Sequence, residues 1–84
     1  LLSVKEMNIS SEVYNYIFCN KKKIINNLIK IKNLKRSLMK LGIKKIDYIK
    51  ILNINSIIKS HKKNRKYKIF IAYYLGFTRL IDNI

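Results

Sequence analysis

The stretch LKRSLMKLGIKKIDYIKI, residues 34–51, carries a helical pattern before one glycine and a strand pattern after it. Before Gly42, apolar residues recur every three or four positions back to Ile24, a spacing that places them on one face of a helix. We therefore predict a helix over 24–41, since a left-handed glycine commonly follows the last turn. After Gly42, isoleucines that alternate with lysine predict a strand over 45–52.

The segments on either side predict the rest of the fold. EVYNYIFC, Glu12–Cys19, is β-branched and aromatic, which favours a first strand. Apolar residues over 54–61 have helical spacing, and YKIFIAYYLGF, Tyr67–Phe77, predicts a third strand with its aromatic residues in the sheet core. The order strand, helix, strand, helix, strand predicts an α+β fold, a two-layer sandwich with both helices on one face of a three-stranded sheet. With 84 residues we expect residues 1–11 as an N-terminal extension, 12–77 as one domain and 78–84 as a C-terminal tail.

Positive charge is concentrated in the middle of the chain. The formal charge is +15, and residues 21–68 hold 17 of the 19 Lys and Arg against one acid, Asp47. A solvated surface normally mixes both signs, so this excess predicts contact with phosphates of a nucleic acid. The predicted RNA-binding residues are Lys21, Lys22, Lys23, Lys30, Lys32, Lys35, Arg36, Lys40, Lys44, Lys45, Lys59, Lys62, Lys63, Arg65 and Lys66. A basic amphipathic helix on an anionic membrane surface is the alternative reading of the same charge.

Residues for the common catalytic and metal sites are scarce. Cys19 and His61 are the only residues of their kinds, so the chain offers neither an intrachain disulfide nor a Cys/His metal cluster. The four acids lie far apart, and Gly42 and Gly76 are the only glycines, which leaves no glycine-rich phosphate loop. We therefore expect a protein that is not an enzyme and has no cofactor, no metal and no small-molecule substrate. No segment has the ~18–20 apolar residues of a spanning helix, so we expect no membrane partner.

Residues 34–72 resemble the universal large-subunit ribosomal protein thirty family. That family has a Leu-x-x-Leu-Gly-Leu helix end followed by a basic pair and Ile, matched here by Leu38, Leu41, Gly42, Ile43, Lys44, Lys45 and Ile46. Further matches are Asn55, Ile58, Lys59, Tyr67, Ile69 and Ile71. The resemblance implies a ferredoxin-like variant, β-α-β-α-β, with an antiparallel sheet in the order three-one-two. It leaves the first strand either at 12–19 or nearer 22–28. It also implies a structural ribosomal protein that contacts large-subunit ribosomal RNA and neighbouring ribosomal proteins.

A second resemblance and the residue usage complete the sequence-based expectations. IDYIKILNINSII and YYLGF are similar to parts of the small-subunit ribosomal protein eighteen family, which is the alternative. Ile, Lys and Asn make up 43 of 84 residues, and their codons are AT-rich, so codon bias is another source of the lysine excess. Together with the missing initial Met, this usage predicts a mitochondrial ribosome, with a plastid ribosome as the alternative.

Overall fold

The computed structural model of the chain describes residues 2–53 and 67–84. The elements in chain order are α1 (Val4–Ile25), α2 (Ile31–Met39), β1 (Lys45–Asn53), β2 (Tyr67–Leu75) and β3 (Thr78–Asn83). The predicted α+β class with a three-stranded antiparallel sheet is confirmed. The elements do not alternate as expected, because both described helices precede the strands and the sheet order is β1-β2-β3 in place of three-one-two. The helix predicted over 54–61 lies outside the described residues.

Helix α1 occupies the segment predicted as the first strand, and that strand prediction over 12–19 was wrong. The alternative position, 22–28, was also wrong, because α1 continues to Ile25 and a turn follows it. A capping box starts the helix: the Glu6 backbone N–H donates to Ser3 Oγ at 3.2 Å, and the Ser3 N–H donates to Glu6 Oε1 at 3.0 Å. Val13 and Ile17, four residues apart, are fully buried on one face of the helix. Burial of this face outweighs the modest strand preference of β-branched residues.

The helix predicted over 24–41 is confirmed only over Ile31–Met39, because the chain turns sharply before it. Asn27 has φ 59°, a left-handed conformation that asparagine tolerates better than most residues. Leu34 and Leu38 are completely buried, as the apolar spacing predicted. Gly42, with φ 114°, follows α2 near the position expected of a glycine that ends a helix.

Strand β2 is the centre of the sheet and of the core. The strand predicted over 45–52 is confirmed as β1, while YKIFIAYYLGF forms β2 and the turn that leads into β3. One face of β2 holds the buried residues Ile69, Ile71, Tyr73 and Leu75, which share one core cluster with buried residues of both helices. Residues 4–11 lie in α1 and residues 78–83 form β3, so both predicted end segments carry regular structure.

Candidate anion-binding site

The described part of the predicted cationic set lies in three places along the chain. Lys21, Lys22 and Lys23 occupy the C-terminal part of α1. Lys30, Lys32, Lys35, Arg36 and Lys40 lie on α2 and its two caps. Lys44 directly precedes β1, and Lys45 is its first residue. The other five, Lys59, Lys62, Lys63, Arg65 and Lys66, lie outside the described residues.

Two cavities are lined by described members of this set. Lys21, Lys22 and Lys23 line one with Phe18 and Cys19 of the same helix, and Lys44 and Lys45 line another with aromatic and turn residues of the sheet. The latter cavity has a volume of about 230 Å³ and is lined by Lys44, Lys45, Tyr74, Gly76 and Phe77. Sheet pairing creates it, because Lys45 lies opposite Tyr74 and the Lys44 backbone N–H donates to the Tyr74 carbonyl oxygen at 3.0 Å. The start of β1 is thereby held beside the β2–β3 turn.

Phe77 gives this cavity an exposed aromatic wall. Its side chain is 95% exposed, so the prediction that it lies in the sheet core was wrong, whereas Tyr73 is buried as predicted. The Lys44 Nζ atom lies 4.5 Å from the centre of the Phe77 ring. An exposed cation–π contact of this kind contributes about 0.5–1 kcal/mol. The Lys44 ammonium group is therefore weakly held and available to an anionic ligand.

An ion-pair chain lies beside the cavity. The Arg79 Nε atom donates to Asp47 Oδ2 at 2.8 Å, and Lys45 Nζ lies 3.8 Å from Asp47 Oδ1. The hydrogen bond to Asp47 raises the pKa of the Arg79 guanidinium further above its usual value. Lys44, Lys45 and Arg79 lie around the cavity with the carboxylates of Asp47 and of Glu6, which lies against Gly76, so the local formal charge is +1. This net positive charge favours the binding of a small anion in the cavity.

The first turn of α1 supports the turn that carries Phe77. Gly76 adopts φ 58°, and a Cβ atom at this position would lie 2.9 Å from Glu6 Oε2. The Glu6 carboxylate is held there by the hydrogen bond that it accepts from the Ser3 backbone N–H, and hydrogen bonding with Ser3 lowers the pKa of Glu6. The capping box that starts α1 therefore places a carboxylate against the β2–β3 turn.

Sequence reasoning found two of the residues at this site and missed the others. Lys44 and Lys45 were in the predicted set, but Asp47 and Arg79 are brought together only by the pairing of strands 32 residues apart in sequence. The available signal for Phe77 was its position directly after Gly76, which predicts a turn in place of a continuing strand.

Further chemistry is sparse in the part of the chain that the structure describes. Within residues 2–53 and 67–84, no group of three or more His, Cys, Asp or Glu side chains is placed to hold a metal ion. Neither of the helices described has the length and apolar character needed to cross a membrane. The described site thus offers electrostatic and aromatic contacts to a ligand.

Comparison with known proteins overturns the ribosomal interpretation. The model of the pantoate-beta-alanine ligase family matches residues 1–84. None of the curated proteins and none of the solved structures matches the chain. The resemblances to the two ribosomal families were therefore wrong. The predicted structural role in a ribosome was wrong as well, together with its ribosomal RNA and ribosomal protein partners. The predictions that the chain is not an enzyme and has no small-molecule substrate were also wrong. The basic amphipathic alternative is likewise not supported.

The ribosomal prediction has two identifiable sources of error. A leucine pattern that ends in Gly42 is shared by any amphipathic helix with a glycine after its last turn, so it is a weak family signature. The lysine excess, 16 Lys against 3 Arg, accompanies many Ile and Asn residues, whose codons are also AT-rich. Charge that follows codon usage carries little information about a polyanionic partner.

Proposed function

The chain belongs to the pantoate-beta-alanine ligase family, and we propose that it acts in the joining of pantoate to β-alanine by holding the pantoate carboxylate at the Lys44–Phe77 cavity. A ligase forms a bond between two molecules at the expense of a nucleoside triphosphate. The bond here is an amide between the pantoate carboxylate and the β-alanine amine. Pantoate, the nucleotide and the carboxylate end of β-alanine are all anionic, so a cationic cavity suits this reaction.

The size of the cavity favours a small acid over a nucleotide. Pockets that enclose drug-sized ligands typically measure ~300–1,000 Å³. The cavity beside Phe77 measures about 230 Å³ and is open to solvent on one side. A molecule as large as a nucleoside triphosphate would extend well outside it, whereas a short carboxylic acid fits within it.

The aromatic wall favours pantoate over β-alanine. Pantoate carries two methyl groups on the carbon adjacent to the one that bears its carboxylate. Between its carboxylate and its charged amine, β-alanine has only two methylene groups. The 95% exposed Phe77 ring is an apolar surface that these methyl groups would cover. Burial of apolar surface contributes roughly 25 cal/mol per Å², so a few tens of Å² suffice to distinguish the two acids. The β-alanine ammonium group is in addition repelled by a local charge of +1.

The observation that carries this proposal is the Lys44 ammonium poised over an exposed aromatic ring at the mouth of a small cationic cavity. On ligand binding, the ammonium group moves from the ring face to the carboxylate, and the ring face receives the methyl groups. The role that follows for these residues is to bind and orient pantoate. Lys45, held by Asp47, supplies the second positive charge.

The test is an NMR titration of the 84-residue chain with pantoate, β-alanine and ATP, each added alone at low salt. Pantoate is expected to shift the amide signals of residues 44, 45, 76 and 77 with a dissociation constant in the millimolar range. Lys44→Gln should weaken the effect several-fold. Lys50→Gln is the matched control. Lys50 lies on β1 and, like Lys44, over an aromatic ring, with Nζ 5.3 Å from the centre of the Tyr48 ring, but it does not line the cavity.

Two outcomes would contradict the proposal. Shifts at these residues with ATP or β-alanine, and none with pantoate, would assign the cavity to another reactant. Equal weakening by Lys44→Gln and Lys50→Gln would show a diffuse effect of net charge. The organelle predicted from residue usage, a mitochondrion or a plastid, remains a separate proposal that imaging of a tagged chain would test.

A further inference from the structure

A separate cavity of about 360 Å³ is lined by residues of α1, β2 and β3. The lining residues that matter for its chemistry are Leu2, Ser10, Tyr73, Leu80 and Asp82. It shares no lining residue with the cavity beside Phe77. Its volume lies within the ~300–1,000 Å³ that is typical of sites for small ligands. We call it the α1–β3 cavity.

Asp82 places a carboxylate at a position that faces the core. Leu80 pairs with Tyr73 and Asp82 pairs with Ile71, and residues opposite each other in an antiparallel sheet point to the same face. Ile71 and Tyr73 are buried on the face that carries the core. Asp82 is partly buried there, and no Lys or Arg of the described residues forms an ion pair with it. Within the described structure, this carboxylate has no counter-charge.

The hydroxyl group of Tyr73 is the second unpaired polar group in this cavity. The Tyr73 side chain is only 2% exposed, and no residue in the described part of the chain forms a hydrogen bond with its hydroxyl. Every described side-chain oxygen or nitrogen that is fully buried has a partner, so the Tyr73 hydroxyl is reached by solvent, through the cavity that it lines. Burial raises the pKa of Tyr73, and the nearby negative charge of Asp82 raises it further.

The polar groups of the α1–β3 cavity are arranged to accept hydrogen bonds. Ser10 Oγ donates its proton to the Met7 carbonyl oxygen at 2.8 Å, so its lone pairs remain as acceptors. The Asn83 backbone N–H donates to Asp82 Oδ1 at 3.0 Å, which orients the carboxylate and leaves Oδ2 as an acceptor. The ligand that matches such a set carries positive charge and several donors. A primary ammonium group has three N–H donors and no acceptor.

We propose that the α1–β3 cavity binds a small primary amine that carries no carboxylate, with its ammonium group hydrogen-bonded to Asp82 and Tyr73. Leu2 and Leu80 supply apolar walls that a short alkyl chain would cover. A zwitterionic amino acid such as β-alanine fits poorly, because its carboxylate would approach Asp82 and no Lys or Arg is among the described residues that line the cavity. The site is therefore separate from the proposed binding of pantoate and does not depend on it.

Protection of the sheet edge is the simpler interpretation of Asp82. Strand β3 is an edge strand, and an inward-facing charge on such a strand discourages pairing with another sheet. That role needs only the carboxylate. It does not account for a cavity of this size or for a Tyr73 hydroxyl that is left unpaired inside it. The two interpretations differ in whether the cavity binds an amine.

An NMR titration of the full chain with n-butylamine at neutral pH tests the proposal. A salt concentration of about 150 mM screens the repulsion from distant lysines over ~8 Å. The amide signals of residues 10, 73 and 82 are expected to shift, with a dissociation constant in the millimolar range. Asp82→Asn should weaken binding about tenfold and Tyr73→Phe about fivefold, since each removes one hydrogen bond to a charged group and keeps the side-chain shape. Asp47→Asn is the matched control, because it removes the same charge from β1, outside this cavity.

Two further ligands separate charge from shape. β-Alanine adds a carboxylate and n-butanol lacks the ammonium group, so neither should shift these signals in the same concentration range. A folded chain that shows no shifts with n-butylamine would overturn the proposal and leave Asp82 as protection of the sheet edge. Equal weakening by Asp82→Asn and Asp47→Asn would also overturn it, as would β-alanine or n-butanol that binds as tightly as n-butylamine. Failure of pantoate to shift residues 44, 45, 76 and 77 would instead contradict only the proposed function.

Discussion

Gly76 lies against the carboxylate of Glu6, so that a Cβ atom on residue 76 would be only 2.9 Å from Glu6 Oε2. Glu6 belongs to the first turn of α1, and Gly76 belongs to the turn between β2 and β3. The two contacts of the Glu6 carboxylate, with Ser3 and with this turn, connect the start of the chain to the residue that precedes Phe77. The geometry of the proposed pantoate site therefore depends on how α1 begins.

Substitution of Gly76 should reveal this dependence. Gly76→Ala forces a side chain into a φ of 58° and should lower the free energy of unfolding by about 1–2 kcal/mol. Gly76→Asn should cost less, since asparagine tolerates the left-handed region better, although its Cβ meets the same carboxylate. Urea unfolding followed by circular dichroism measures both. Equal losses would show that contact with Glu6, and not the backbone conformation, sets the cost.

The capping box should make the stability of the chain sensitive to acid. Hydrogen bonds to Ser3 lower the pKa of Glu6 below its ordinary 4.5, so the folded state favours the charged carboxylate. The resulting stability is fully present above pH 4.5 and is lost as the pH falls through the lowered folded-state pKa. Wild type should therefore lose more stability than Glu6→Gln between neutral pH and pH 3. Parallel pH profiles for the two proteins would show that Glu6 makes no such contribution.

Removal of the cap itself is a separate prediction. Ser3→Ala leaves the Glu6 backbone N–H without its acceptor and should lower the free energy of unfolding by about 1 kcal/mol. Ser11→Ala, at an exposed position within the same helix, is the matched control and should change stability by less than ~0.5 kcal/mol. Urea denaturation followed by circular dichroism measures both losses. An effect of Ser11→Ala as large as that of Ser3→Ala would mean that helix propensity outweighs the cap.

Leu38 and Met39 are neighbours in α2, and alanine substitutions at the two positions should have very different effects on stability. Leu38 is completely buried, and Leu38→Ala should cost about 2–5 kcal/mol through lost burial and the cavity left behind. Met39, its neighbour, is 44% exposed, and Met39→Ala should cost under ~1 kcal/mol. Thermal and urea unfolding report both values. Similar losses would contradict the assignment of Leu38 to the core.

Patterns that depend on local spacing predicted the fold best. The apolar spacing before Gly42 and the alternation after it gave α2 and β1, because burial of one face acts over short segments. The strand predicted over 12–19 failed because a capping box and a buried face favour helix where β-branched residues alone favour strand. The site was harder to predict from the sequence, because Arg79 contacts Asp47 only through the pairing of all three strands. No local pattern encodes that contact.

Asp47 limits the positive charge available to a ligand at the proposed pantoate site. Its carboxylate pairs with Arg79 at 2.8 Å and lies 3.8 Å from Lys45 Nζ, and both contacts compete with a bound carboxylate. Asp47→Asn raises the local charge from +1 to +2, so pantoate affinity should rise about threefold at low salt, the effect of one exposed charge pair.

The control for this effect is another single acid-to-amide change. Asp82→Asn alters net charge equally but lies on β3, lining a different cavity. Isothermal titration calorimetry with pantoate, in about 20 mM and in about 150 mM salt, separates the two variants. Screening over ~8 Å at the higher salt should remove most of the gain in pantoate affinity of Asp47→Asn. Weaker binding by Asp47→Asn would mean that Asp47 is needed to position Lys45. Equal gains in pantoate affinity for the two variants would show that overall charge sets the effect. They would contradict binding of the pantoate carboxylate at Lys44 and Lys45.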